Sequence, residues 1–219
     1  MKNMKIFNNL LLFFGESILF ESILIGAVKK DNVLAFTIGG IIYHLLILGS
    51  LYLFNKTEID KMFKDYQKNL WQYLKIGIGL GIISFIGMMG ANYVINTWLI
   101  KAAGPTNEII IRENIQTYQI YSIATYCLLA PMIEEIVFRL SFNVIKNKSL
   151  YLIISTTIFA FLHIISSLDS MVKLLYLIPY FILGLSFGLA YHKTQNIFTS
   201  ITIHILHNTV TMTALLLLT

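Results

Sequence analysis

Hydrophobic positions in this chain do not alternate. They gather into seven blocks, at residues 6–28, 33–54, 71–100, 118–144, 150–168, 171–191 and 197–218, separated by short polar stretches. About 20 apolar residues at helical rise cross the hydrocarbon of a bilayer, so each block predicts a transmembrane helix. The turns fall at 29–32, 145–149 and 192–196. Two connections are longer. Residues 55–69 carry seven charges among Ile59, Met62, Phe63 and Tyr66, apolar positions near helical spacing, which predicts an amphipathic helix lying along the interface. Residues 101–117 are polar, hold Gly104-Pro105, and predict a connection with a short surface helix.

Within the third block, Gly77, Gly79, Gly81, Gly87 and Gly90 leave a slim surface for close helix packing, and Trp71 and Trp98 bracket it as interfacial anchors. Gly184 and Gly188, four apart, do the same in the sixth block. Pro131 predicts a bend in the fourth. The expected fold is an all-α polytopic bundle of about seven spans. N-terminal helices with the interfacial segment occupy 1–117, and a second helical group occupies 118–218.

Composition agrees. Of 219 residues 57 % are hydrophobic and 12 % charged, with mean hydropathy +0.74; soluble domains are about 25 % charged. The single cysteine, Cys127, excludes an intrachain disulfide and a cysteine-rich metal site. The net charge of +5 comes from lysines beside the apolar blocks and forms no basic stripe, which argues against nucleic acid as a partner. Ten basic residues fall on one side of the seven-span arrangement and five, Lys29, Lys30, Lys101, Arg112 and Lys173, on the other. The positive-inside rule then places the N-terminus in the cytoplasm and the C-terminus outside. The expected location is a membrane that the chain crosses several times, with the bilayer itself as a partner.

The chemistry concentrates in L-L-A-P-M-I-E-E-I-V-F-R-L, residues 128–140. Two carboxylates and a guanidinium inside an apolar block are costly and ask for a function. Glu135 and Arg139, four apart, share a helix face and can pair, while Glu134 points about 100° away and is freer to act on water. His163 lies on the fifth block, and His204, His207 and Asn208 on the seventh. Counting about 12, 14 and 8 residues from the cytoplasmic ends puts Glu134, His163 and His204 at compatible depths, a little on the cytoplasmic side of the middle. Such a set suits several ends. Glu134 and His163 could activate water while His204 and Asn208 donate to an oxyanion. Glu134, His163 and His204 could hold a divalent metal such as zinc. The pair could equally fix helix packing, or the cluster could move protons. No H-E-x-x-H, G-x-S-x-G, phosphate loop or dinucleotide fingerprint is present.

Taken together, Glu134-Glu135-x-x-x-Arg139, Phe159-x-x-x-His163 and His204-x-x-x-Asn208 resemble the three motifs of the CPBP family, which comprises the Rce1-type CAAX prenyl endopeptidases and the bacteriocin-processing and immunity proteins once called the abortive-infection (Abi) family. The resemblance covers about residues 118–218. It implies an intramembrane endopeptidase, glutamate-dependent or metal-dependent, in which Glu134, His163, His204 and Asn208 are catalytic. Glu135, Arg139 and Phe159 support them. The implied substrate is a membrane-associated peptide or protein: a prenylated chain, a leader or a pheromone precursor. A non-enzymatic immunity or interaction protein of the same fold is the alternative, and a proton-coupled transporter the second. His207, His44 and His192 are expected to pack or lie at the surface. Glu16 and Glu21 are expected to line the cavity, or to sit at a helix end or oligomer contact.

Overall fold

A computed structural model describes residues 8–14, 32–100, 104–168 and 170–218. Six helices long and apolar enough to cross a membrane stand among them, and the molecule is an all-α polytopic bundle. Of the first predicted span only residues 8–14 are described, and they are helical (α1). The rest of that span, Glu16, Glu21 and the turn at 29–31 lie outside the described residues.

Helix α2, Val33–Lys68, begins where the Asn32 side chain accepts the Ala35 N–H at 3.0 Å. It runs on through 36 residues. The charged stretch therefore continues α2 as far as Lys68 without starting a helix of its own. No glycine or proline falls between Ser50 and Asn69 to break it. The turn at its charge-rich end is braced by a Lys56–Asp60 pair at 2.7 Å and by the Tyr52 hydroxyl on Asp60 at 2.8 Å. At about 54 Å it exceeds a hydrocarbon core of about 30 Å.

Asn69 separates α2 from α3, Leu70–Leu99, whose last turn widens into π-helix. The short helix expected in the connection is α4, Thr106–Thr117. Then come α5, Gln119–Val144; α6, Lys148–Ser167; α7, Met171–Thr194; and α8, Ile197–Leu218. Asn147 caps α6 through the Leu150 N–H, and α7 ends on Gln195 in the left-handed region (φ 52°) with its N–H on the Tyr191 carbonyl at 2.7 Å.

Helix α5 is the central one: 56 % of its apolar window is buried, against 11 % for α3. Around it Val137, Phe138, Phe159, Phe187, Ile201 and Ile203 form the main core. Glycines set how closely the neighbours approach. A Cβ on Gly77 would stand 2.7 Å from Ile203 Cγ2, which brings α3 onto α8. A Cβ on Gly184 would stand 2.8 Å from the Phe159 ring, and one on Gly188 would stand 3.1 Å from Leu152 and 3.5 Å from Arg139. Backbone contact at these small residues is how helices associate where lipid offers no hydrophobic drive. Trp71 and Ile83, 75 % and 70 % exposed, face outward where lipid would meet them.

Candidate active site

Pro131 shapes the middle of α5. It has no N–H, and its ring would clash with a carbonyl one α-turn earlier. The chain answers with a π-helical stretch, Ile123–Leu129, before the α-helical turn Ala130–Glu135. The Ala130 N–H goes to the Thr125 carbonyl. Tyr126 is left facing a proline five residues on, and its carbonyl instead accepts the Asn208 side-chain N–H at 2.8 Å. The proline thus creates the acceptor that orients Asn208 from α8. A second π-helical stretch, Ile136–Leu140, follows the two glutamates.

Glu134 and Glu135 part company as their spacing predicts. Glu135 and Arg139 are both fully buried and joined, Nε to Oε2 at 2.7 Å. The Glu135 carboxylate also accepts from Ser200 Oγ and from His204 Nδ1, the latter at 3.1 Å. Arg139 donates further to Ser155 Oγ at 3.3 Å and lies over the Phe159 ring. A buried pair holds only if its remaining lone pairs and protons are satisfied, and these neighbours do that.

Glu134 turns the other way, into a cavity of about 720 Å³. Its Oε2 is buried and without a hydrogen-bond partner. It lies 3.6 Å from His163 Nε2 and 3.9 Å from His204 Nε2. His163 comes from the last turns of α6. Its Nδ1 is 2.8 Å from the Phe159 carbonyl, which can only accept, so Nδ1 carries the proton and Nε2 presents a lone pair. The carboxylate of Glu135 imposes the same tautomer on His204. Phe187 stacks on the His204 ring at 4.3 Å, and Phe159 and Tyr180 flank His163 at 4.3 and 4.9 Å. Two imidazoles thus aim bare nitrogens at one carboxylate, in a pocket otherwise walled by apolar side chains. Asn208 lines the same cavity.

The structure brings Glu134, His163, His204 and Asn208 together at one end of that cavity, with Glu135, Arg139 and Phe159 packed behind them. His207 sits between Phe85 and Phe187, at ring distances of 5.7 and 6.4 Å, and reaches the cavity wall. His44 bonds the Gly40 carbonyl within α2, away from the cluster. Ser200 was not singled out by the sequence. It lies one turn before His204 on the same face, and that spacing is the only signal the sequence carries for it.

The expected metal is corrected. Among the described residues, no group of three or more His, Cys, Asp or Glu side chains is placed to hold a metal ion, Glu134, His163 and His204 included.

A search of curated proteins and a search of solved structures each return no match to this chain. A comparison with protein families does. The matched stretch runs from the end of α4 to the middle of α8 and includes every residue of the cluster. Over residues 115–210 the chain is similar to the family model described as Type II CAAX prenyl endopeptidase Rce1-like.

Proposed function

We propose that the chain is an intramembrane endopeptidase that hydrolyses a peptide bond of a membrane-associated polypeptide, with Glu134 as the base. The observation that carries this reading is the unpartnered Glu134 Oε2, buried at the cavity floor and faced by His163 Nε2 and His204 Nε2. A water drawn between them donates one hydrogen to Glu134 and the other to His163. Its lone pair is then aimed at a carbonyl carbon held in the cavity. Glu134 takes the proton as the C–O bond forms. The second N–H of Asn208, whose first is fixed on Tyr126, donates to the oxyanion. Collapse breaks the C–N bond, and the proton on Glu134 passes to the departing amine. Glu135, Arg139 and Phe159 hold these groups in register.

The test is peptide cleavage by detergent-purified protein across a substrate panel, beside Glu134→Gln and His163→Ala. Cleavage by the parent and at least a thousandfold loss in Glu134→Gln are expected. Cleavage that persists unchanged in both variants would sink the assignment.

A further inference from the structure

We infer that the site is reached from the non-cytoplasmic side of the membrane, so that its substrates are polypeptide segments already exported to that face. This rests on the endopeptidase reading above and adds the compartment and class of substrate.

The six described spans fix which connections share a face, whatever precedes Asn32. The end of α3, helix α4 and the junction of α6 with α7 lie on one side with the end of α8. The α2–α3 junction and the turns at 145–147 and 195–196 lie on the other. Lys56, Lys61, Lys64, Lys68, Lys75, Lys146, Lys148 and Lys193 go with the second face. Among the described residues, Arg112 and Lys173 go with the first. Basic residues in short loops and near span ends stay in the cytoplasm, so the second face is cytoplasmic.

The cavity runs the opposite way. From Glu134 its wall passes Asn92 and Asn96 near the end of α3, then Glu108 and Arg112 on α4, and Thr211 on α8. All of these sit toward the face poor in lysine. Glu108 and Arg112 pair at 2.7 Å and are partly exposed, a polar rim above apolar walls. On the cytoplasmic side the cluster is sealed: Glu135, Arg139, Ser155, Thr156, Ala190 and Asn196 have no exposed surface. An extended segment entering past that rim would meet amide and charged groups for its backbone, apolar walls for its side chains, and the Glu134 cluster at depth. A chain still in the cytoplasm meets only the sealed floor.

Single-cysteine variants test this in a Cys127→Ala background. Thr97→Cys marks the cavity wall, Gln116→Cys marks α4, and Lys146→Cys marks the α5–α6 turn. A membrane-impermeant maleimide applied to intact cells is expected to label the first two, and Lys146→Cys only after permeabilisation. The reverse pattern, or labelling of all three in intact cells, overturns the inference. Alkaline phosphatase fused after Thr219, which is active only when exported, decides the case for any variant that fails to reach the membrane: activity supports the inference and inactivity overturns it. Neither readout depends on catalysis. A correct labelling pattern with cleavage indifferent to Glu134→Gln would remove the peptidase reading alone, and inverted labelling with Glu134-dependent cleavage would remove the access side alone.

Discussion

Glu135 and His204 touch across α5 and α8, Oε1 to Nδ1 at 3.1 Å, and this contact decides which nitrogen of the ring faces the cavity. In the proposed mechanism the acid that looks like a spare copy of Glu134 is a positioning residue. It is held by Arg139 and Ser200 on one side and spends its second oxygen on the imidazole. Replacing it by glutamine would let an amide N–H face Nδ1 and favour the wrong tautomer. Glu135→Gln is expected to lower kcat by about 10- to 100-fold with little change in KM, the range typical when a partner behind an active-site histidine is lost. An unchanged kcat would show that His204 is oriented by other means.

Arg139→Ala leaves the Glu135 carboxylate buried beside a lost partner. The expected cost is about 3–5 kcal/mol of stability, read as a lower thermal midpoint in detergent and reduced accumulation in the membrane. A midpoint equal to that of the parent would remove the pairing argument.

Ser200→Ala takes away one hydrogen bond to a buried carboxylate, worth about 1.5–3 kcal/mol. Ser200→Thr keeps the hydroxyl and should recover most of the activity. A deletion of the hydroxyl that is silent in both stability and kcat would relegate Ser200 to packing.

Pro131→Ala restores a backbone N–H five residues after Tyr126 and relieves the clash that widens α5. The Tyr126 carbonyl then has a helical donor competing with Asn208. The helix itself should gain stability, since proline is about 3 kcal/mol worse than alanine in a helix interior, while kcat falls because Asn208 loses its anchor. Stability and activity rising together would contradict this role for the proline.

Gly184→Ala pushes a methyl against the Phe159 ring, with a Cβ contact of 2.8 Å, and Phe159 in turn lies against His163. A destabilisation of about 1–3 kcal/mol with loss of cleavage is expected. Gly79→Ala is the control: nothing lies within 4 Å of its Cβ position, and it should stay near the parent in both measures.

The six described spans and the split between Glu134 and Glu135 were legible in the sequence for one reason. Apolar block length and helical periodicity are local, and a four-residue step puts Glu135 and Arg139 on one face in any helix. That the charged stretch runs on from α2 was not legible, because charges at amphipathic spacing suit a helix of its own and the continuation of a long one equally well. Only the lack of a breaker between Ser50 and Asn69 distinguished them. The π-helical stretch at Ile123–Leu129 could not be read, because the carbonyl it leaves free at Tyr126 is taken up by a tertiary partner, Asn208. Ser200 was hidden because a serine in an apolar helix ordinarily bonds its own backbone, and its partner lies 65 positions away on α5. The metal expectation was drawn from residue types alone, and among the described residues no three such side chains are placed to hold an ion.

The sealed floor of the cavity has an electrical meaning. A wet chamber reaching this deep would short-circuit the ion gradient if it continued to the opposite surface. Close-packed side chains from Arg139 to Asn196 end the cavity partway, so filling it with water would leave the bilayer's insulation intact.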